Sequence, residues 1–216
     1  MPLEILPAVL AHDERDFSAR LLHPELKRRA KMFHVDILDG TLFHTSCWAE
    51  PNIIGSWPDL PDIELHAMVY HPLRLARAWE HIPTFKRIIV HIELGDHLRI
   101  VVPQLKERGL EVVAAVNPRT AVDVVGDLDL AFDGILIMGV EPGKSGQTFL
   151  GEPILAKMRR AKTLFPNLPL AVDGGVRANL VGSLVQAGAS RLVAASALWQ
   201  AENPGEAFDV LVAHAS

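Results

Sequence analysis

Strand-type runs alternating with helix-type segments from end to end predict an α/β protein, a closed (β/α)8 barrel, and three observations carry that prediction. Eight short runs rich in β-branched residues recur along the 216 residues, with helical spacing in the segments between them. Such alternation implies a parallel sheet with right-handed crossovers, and eight units in this length suit a closed barrel better than an open sheet. No linker or low-complexity stretch interrupts it, so residues 1–216 are expected to form one domain. The residues able to bind a metal or move a proton fall at the carboxyl ends of the runs, where such a barrel carries its function.

In chain order the strand candidates are residues 3–10, 33–38, 63–69, 87–92, 111–116, 134–140, 168–172 and 191–195. The clearest helical candidates are residues 14–32, 73–81, 97–108, 153–164, 179–187 and 205–214. Two weaker segments, 51–57 and 120–126, fill the crossovers after the second and fifth strands. Gly109 and Gly188 follow charged or polar helix ends and predict C-terminal caps. Pro103 predicts a kink or a late start in the helix at 97–108, because it has no N–H for the ladder.

Composition narrows the partners. The chain is 49% hydrophobic, enough for a large core, and its formal charge of -5 comes without any basic run. Neither nucleic acid nor an anionic membrane surface is expected as a partner, and a small soluble substrate is. No apolar run reaches the length of a membrane span, and Met1-Pro2-Leu3-Glu4-Ile5 lacks the basic start of a secretory signal. Cys47 is the only cysteine, so no intrachain disulfide is possible and a reducing cytoplasm is expected.

The chemistry begins in Phe33-His34-Val35-Asp36-Ile37-Leu38-Asp39-Gly40. A strand sends alternate side chains to one face, so His34 and Asp36 project together while Val35 and Ile37 face the other way. Burying an imidazole and a carboxylate on one face demands a partner for them. His66 on the third strand and Asp173 at the end of the seventh complete two histidines and two carboxylates at one barrel mouth. That N/O set suits one divalent cation: zinc, iron(II), manganese or cobalt. Any one of these residues read alone is more simply a core histidine or a turn aspartate, but four at the same end of three strands point to a metal. Asp36 and Asp173, from well-separated strands, are expected to address opposite faces of one bound carbon, one taking a proton and the other returning one. Across the mouth lie Pro142-Gly143-Lys144-Ser145-Gly146-Gln147, Asp173-Gly174-Gly175 and Ala194-Ala195-Ser196-Ala197, small and glycine-rich loops of the kind that admit a phosphate.

Seven blocks carry a resemblance over nearly the whole chain. They include Leu6-Pro7-Ala8-Val9-Leu10, His34-Val35-Asp36-Ile37-Leu38-Asp39-Gly40, Glu64-Leu65-His66-Ala67-Met68-Val69, His91-Ile92-Glu93 and Val172-Asp173-Gly174-Gly175-Val176. With Val116-Asn117-Pro118-Arg119-Thr120 and Met138-Gly139-Val140-Glu141-Pro142-Gly143, the sequence resembles the ribulose-phosphate 3-epimerase family. The resemblance implies a TIM barrel of the ribulose-phosphate-binding type. It implies metal ligands at His34, Asp36, His66 and Asp173, with Asp36 and Asp173 as the catalytic acid–base pair. It places phosphate contacts on Gly143, Lys144, Ser145, Gly146, Gly174, Gly175 and Ser196, and other substrate contacts on His66, Met68 and Met138. Barrels of this family often associate, so a homo-oligomer is compatible, with the aromatic loop carrying Phe43 and Trp48 as an interface or a lid.

The departures lie around the substrate and spare the metal. Ala8 stands where the family has a serine that contacts substrate, Leu38 replaces a methionine, and Ala195 replaces a glycine beside Ser196. Residues 41–48 replace the usual Val-Pro-Asn loop, and Gly143-Lys144-Ser145-Gly146 replaces Gly-Phe-Gly-Gly. Lys144 either pairs with the phosphate or is a solvated loop lysine, and the solvated reading is preferred; an unchanged KM in Lys144→Ala would dismiss the pairing. The expected activity is 3-epimerisation of a ketose phosphate, most simply ribulose 5-phosphate, with a six-carbon ketose phosphate or a non-catalytic sugar-phosphate-binding barrel as alternatives. Decarboxylase and aldolase-like barrels use Asp-x-Lys on a strand, and Asp36-Ile37-Leu38-Asp39 offers no lysine.

Overall fold

The computed structural model describes residues 3–143 and 146–214. Eight parallel strands close into one barrel in sequence order. They are β1 Glu4–Val9, β2 Met32–Leu38, β3 Asp62–Met68, β4 Phe85–His91, β5 Glu111–Val116, β6 Gly134–Met138, β7 Leu170–Asp173 and β8 Arg191–Ala194. Outside them run α1 Glu14–Leu21, α2 Pro24–Arg29, α3 Pro51–Ile54, α4 Pro72–Trp79, α5 Leu98–Glu107, α6 Val124–Asp127, α7 Glu152–Leu164, α8 Ala178–Gln186, α9 Ser196–Trp199 and α10 Pro204–Ala213. Each expected strand is present, with ends within two residues of the sequence reading.

The single helix expected over 14–32 is instead two. Asp13 caps α1 by accepting from the Asp16 N–H at 2.8 Å. Pro24 then stops it, since its ring excludes a continuing ladder, and serves as the first residue of α2, where a missing N–H costs nothing. Met32, expected at the helix end, opens β2. In α5, Pro103 is tolerated on the exposed face of the second turn, and the helix starts at Leu98 after a 3-10 segment, Ile92–His97. Both glycine caps form: Gly109 and Gly188 take φ +77 and +105, and each closes a paired N–H to C=O motif on the last helical turn. The short α9, directly after β8, carried no signal of its own in the sequence.

Two apolar layers follow from strand alternation. The larger one lies between barrel and helices and takes Val35, Ile37, Leu65, Val90, Trp79, Leu105 and Phe208. The smaller one fills the barrel and includes Leu6, Ala8, Ile89, Val113, Leu136, Ala171 and Val193. This inner plug forms the floor beneath the polar side chains of the mouth. Among the described residues no helix is long and apolar enough to cross a membrane.

Candidate metal centre and active site

Parallel register sets Asp36 of β2 opposite His66 of β3, and His34 opposite Glu64. Alternation turns these four inward, while Val35 and Ile37 pack outward as expected. Asp173 ends β7 beside Met138 of β6. At the mouth, one ligand atom from each of His34, Asp36, His66 and Asp173 lies within 4.8 Å of the others. His34 Nε2 stands 3.2 Å from Asp36 Oδ1, 3.3 Å from His66 Nδ1 and 3.8 Å from Asp173 Oδ2. His66 Nδ1 stands 3.0 Å from Asp36 Oδ1 and 3.4 Å from Asp173 Oδ2. Donors about 2.0–2.2 Å from one cation at tetrahedral angles lie about 3.3–3.6 Å apart, so these separations suit a single shared ion. The cluster is therefore built for one divalent cation.

Electrostatics point the same way. Burial works against charge on His34, but Asp36, Glu64 and Asp173 outweigh it and raise the imidazole well above its ordinary pKa. His66 is raised too, against burial, by Asp173 and Asp36. Burial would lift Asp36, yet the two imidazoles hold it well below the usual carboxylate range. Three buried groups thus demand positive charge at one point, and a divalent cation supplies it.

Glu64 orients the first histidine. Its Oε1 is 2.6 Å from His34 Nδ1, and because an ionised carboxylate only accepts, that nitrogen bears the proton and Nε2 keeps its lone pair for the cluster. Burial would raise the Glu64 carboxyl, but His34 and Arg87 bring it down to about 2. Arg87 bonds Glu64 at 2.6 Å and Glu111 at 2.7 Å, and Arg191 lies 4.0 Å from Glu111 and 3.1 Å from Glu4. A ladder of alternating charge thus runs from the metal ligand down the barrel interior to its lower rim.

A small cavity of about 50 Å³ opens beside the cluster, lined by Asp36, Asp173, Met68, Met138, Gly143, Gly146, Gly174, Gly175, Ala195 and Ser196. Ten residues expected at the site meet there. Ala8, His34 and His66 do not line it: Ala8 is 1% exposed in the inner plug, and the two histidines are fully buried beneath the mouth. Lys144 and Ser145 lie outside the described residues. The paired glycines serve packing as well as any ligand. A Cβ on Gly174, at φ +100, would stand 2.4 Å from Val140 Cγ2, and one on Gly175 would stand 2.5 Å from the Phe149 nitrogen. The loops after β6 and β7 interlock only because both side chains are absent.

The loop after β2 is not the exposed aromatic surface expected from the sequence. Trp48 is partly buried, stacked on Trp57 at 6.3 Å and edge-on to Phe17 at 5.3 Å, because its large apolar area finds partners in the helix layer. Phe43 turns inward onto His91 at 5.1 Å.

The comparisons with known proteins agree with this geometry. The model of a family described as the ribulose-phosphate 3 epimerase family matches residues 4–199. The chain belongs to the ribulose-phosphate 3 epimerase family. Ribulose-phosphate 3-epimerase of Synechocystis sp. is 33% identical to this family member over 191 residues, covering 83% of this chain and 80% of that protein. The enzyme of that name from Bacillus subtilis is 29% identical over 209 residues, 91% and 92% of the two chains. In fold, 3-hexulose-6-phosphate synthase from Salmonella typhimurium superposes with a TM-score of 0.72 at 14% identity, over 99% and 98% of the chains. Family membership and the buried cluster make this chain an epimerase-type enzyme and support metal-dependent sugar-phosphate epimerisation.

Two buried residues behind His34 escaped the sequence reading as site residues: Glu64 and Arg87. Glu64 was legible in principle, since it lies two residues before His66 on the same inward face. Arg87 was not, because an arginine near a strand start is more often solvated, and here it is 5% exposed.

Proposed function

We propose that the enzyme inverts C3 of a ketose phosphate, most simply interconverting D-ribulose 5-phosphate and D-xylulose 5-phosphate. One observation carries the reading: Asp36 and Asp173, each 9% exposed, enter the same cavity from β2 and β7, strands separated around the wall by β1 and β8. Two carboxylates so placed suit a proton removed from one face of a carbon and returned to the other. His34, Asp36, His66 and Asp173 would hold a divalent cation, which would supply Lewis-acid stabilisation of negative charge on the substrate oxygens. Met68 and Met138 give the reacting carbon an apolar wall, and the glycine loops of the opposite rim leave room for the phosphate. A place in pentose phosphate metabolism of a reducing cytoplasm belongs to this reading, in keeping with Cys47 as a free thiol.

The test is exchange of the C3 hydrogen with solvent deuterium, followed by NMR with metal added, for both pentulose and hexulose phosphates. Exchange with ribulose 5-phosphate is expected, and exchange only with a six-carbon substrate would move the specificity, the altered loop after β2 being the part that differs. No exchange with either, at full metal occupancy, would leave a sugar-phosphate-binding barrel. Asp173→Asn is expected to cut the exchange rate by about 10²–10⁴, the usual worth of a positioned acid or base.

A further inference from the structure

His34 and His66 present different nitrogens to the cluster, and strand register explains why. His66 is level with Asp36 and meets it with its near nitrogen, Nδ1, whereas His34 sits two residues lower and reaches up with Nε2. The two rings therefore need opposite tautomers. Glu64 supplies the acceptor that selects the one His34 needs.

Among the described residues, no carboxylate reaches the corresponding nitrogen of His66. Its Nε2 faces His91 Nε2 at 2.9 Å, with the ring centroids 5.0 Å apart and the ring planes 12° from parallel. Two ring nitrogens at that distance share one proton, and what lies behind His91 decides its owner. His91 Nδ1 is 3.2 Å from Glu93 Oε2, an acceptor only, so Nδ1 donates. With Nδ1 committed to Glu93, the fully buried ring offers Nε2 as an acceptor, and the proton between the two Nε2 atoms belongs to His66. Glu93 is itself anchored through Oε1 by the Asn117 N–H at 3.0 Å and the Thr120 hydroxyl at 2.6 Å.

We propose that His91 and Glu93 are positioning residues, a two-step hydrogen-bond relay that fixes the tautomer and tilt of His66 so that Nδ1 is always offered to the cation. The inference rests on the metal reading of the cluster and extends it to residues that touch neither the cation nor the substrate. Phe43 packs edge-on against His91.

Zinc alone is the probe, with the full chain. Its affinity is read by competition with a chromophoric chelator, and long-range ¹H–¹⁵N NMR of the zinc-loaded protein reports which imidazole nitrogens carry protons. The wild-type protein is expected to show protons on His66 Nε2 and His91 Nδ1. His91→Leu should weaken zinc binding by about 10–100-fold and lose the protected His66 Nε2 proton. His91→Gln, whose amide oxygen accepts at the same place, should recover most of the affinity. Glu93→Ala should weaken binding in the same direction, and it carries the test if His91→Leu does not fold. Unchanged affinity and unchanged His66 signals in the folded variants would overturn the relay alone. So would equal losses in the Leu and Gln variants, which indicate packing rather than hydrogen bonding. A wild-type chain that binds no zinc would overturn the metal reading and the relay with it.

Discussion

The carboxylate of Glu64, 2% exposed, accepts from His34 through one oxygen and from Arg87 through the other. Removing one member of such a buried pair strands the other charge away from water. Arg87→Met should therefore cost about 3–5 kcal/mol, measured by urea unfolding of the metal-free protein. The double change with Glu64→Gln should cost less than the Arg87 change alone, because it leaves no unpaired carboxylate. The same pair gives the fold a pH dependence of known sign. The Glu64 carboxyl is lowered from 4.5 to about 2, so its contribution is present above pH 4.5 and disappears as pH falls toward 2. Across that window Glu64→Gln should flatten the loss of stability relative to the wild-type chain, and an equal slope would show that Glu64 does not drive it. At this scale the metal ligands were legible because His34, Asp36 and His66 obey the two-residue period of a strand. Arg87 was not, because its worth depends on two partners contributed by neighbouring strands.

At the scale of elements, local chemistry decided the ends. Gly109 closes α5 at φ +77 with open space around it, so Gly109→Ala should pay only the backbone cost, about 1 kcal/mol, or a Tm lower by about 2–4 °C. Gly174→Ala combines φ +100 with a collision at Val140 and should cost clearly more in the same thermal measurement. A similar loss at both positions would dismiss the interlocking of the β6 and β7 loops. Strands and glycine caps were readable because each depends on residues within a few positions. The break at Pro24 is local chemistry too, since a proline cannot continue the ladder of the helix before it, and the apolar spacing on either side of it masks the break. The inward turn of Phe43 and Trp48 was not, since their partners His91, Phe17 and Trp57 come from other elements.

Across the whole molecule, the cation links stability to activity. Chelation should abolish C3 exchange and lower Tm, and restoring the metal at about 1,000 times its Kd should return about 4 kcal/mol of stability. Because the neighbouring carboxylates raise His34 and His66 above the ordinary imidazole value, protons compete with the metal. Affinity should therefore rise with pH until the imidazoles are deprotonated, and calorimetry in buffers of different ionisation enthalpy should detect proton release on binding. Equal heats in all buffers would contradict this. The alternation of strands and helices, the inward face of each strand and the four ligands followed from the sequence, because periodicity and local turn chemistry are written in consecutive residues. Only the closed barrel decided that Glu64, Arg87, His91 and Glu93 stand behind those ligands and that Ala8 lies in the inner plug, since register between strands, and not position along the chain, determines which buried groups meet.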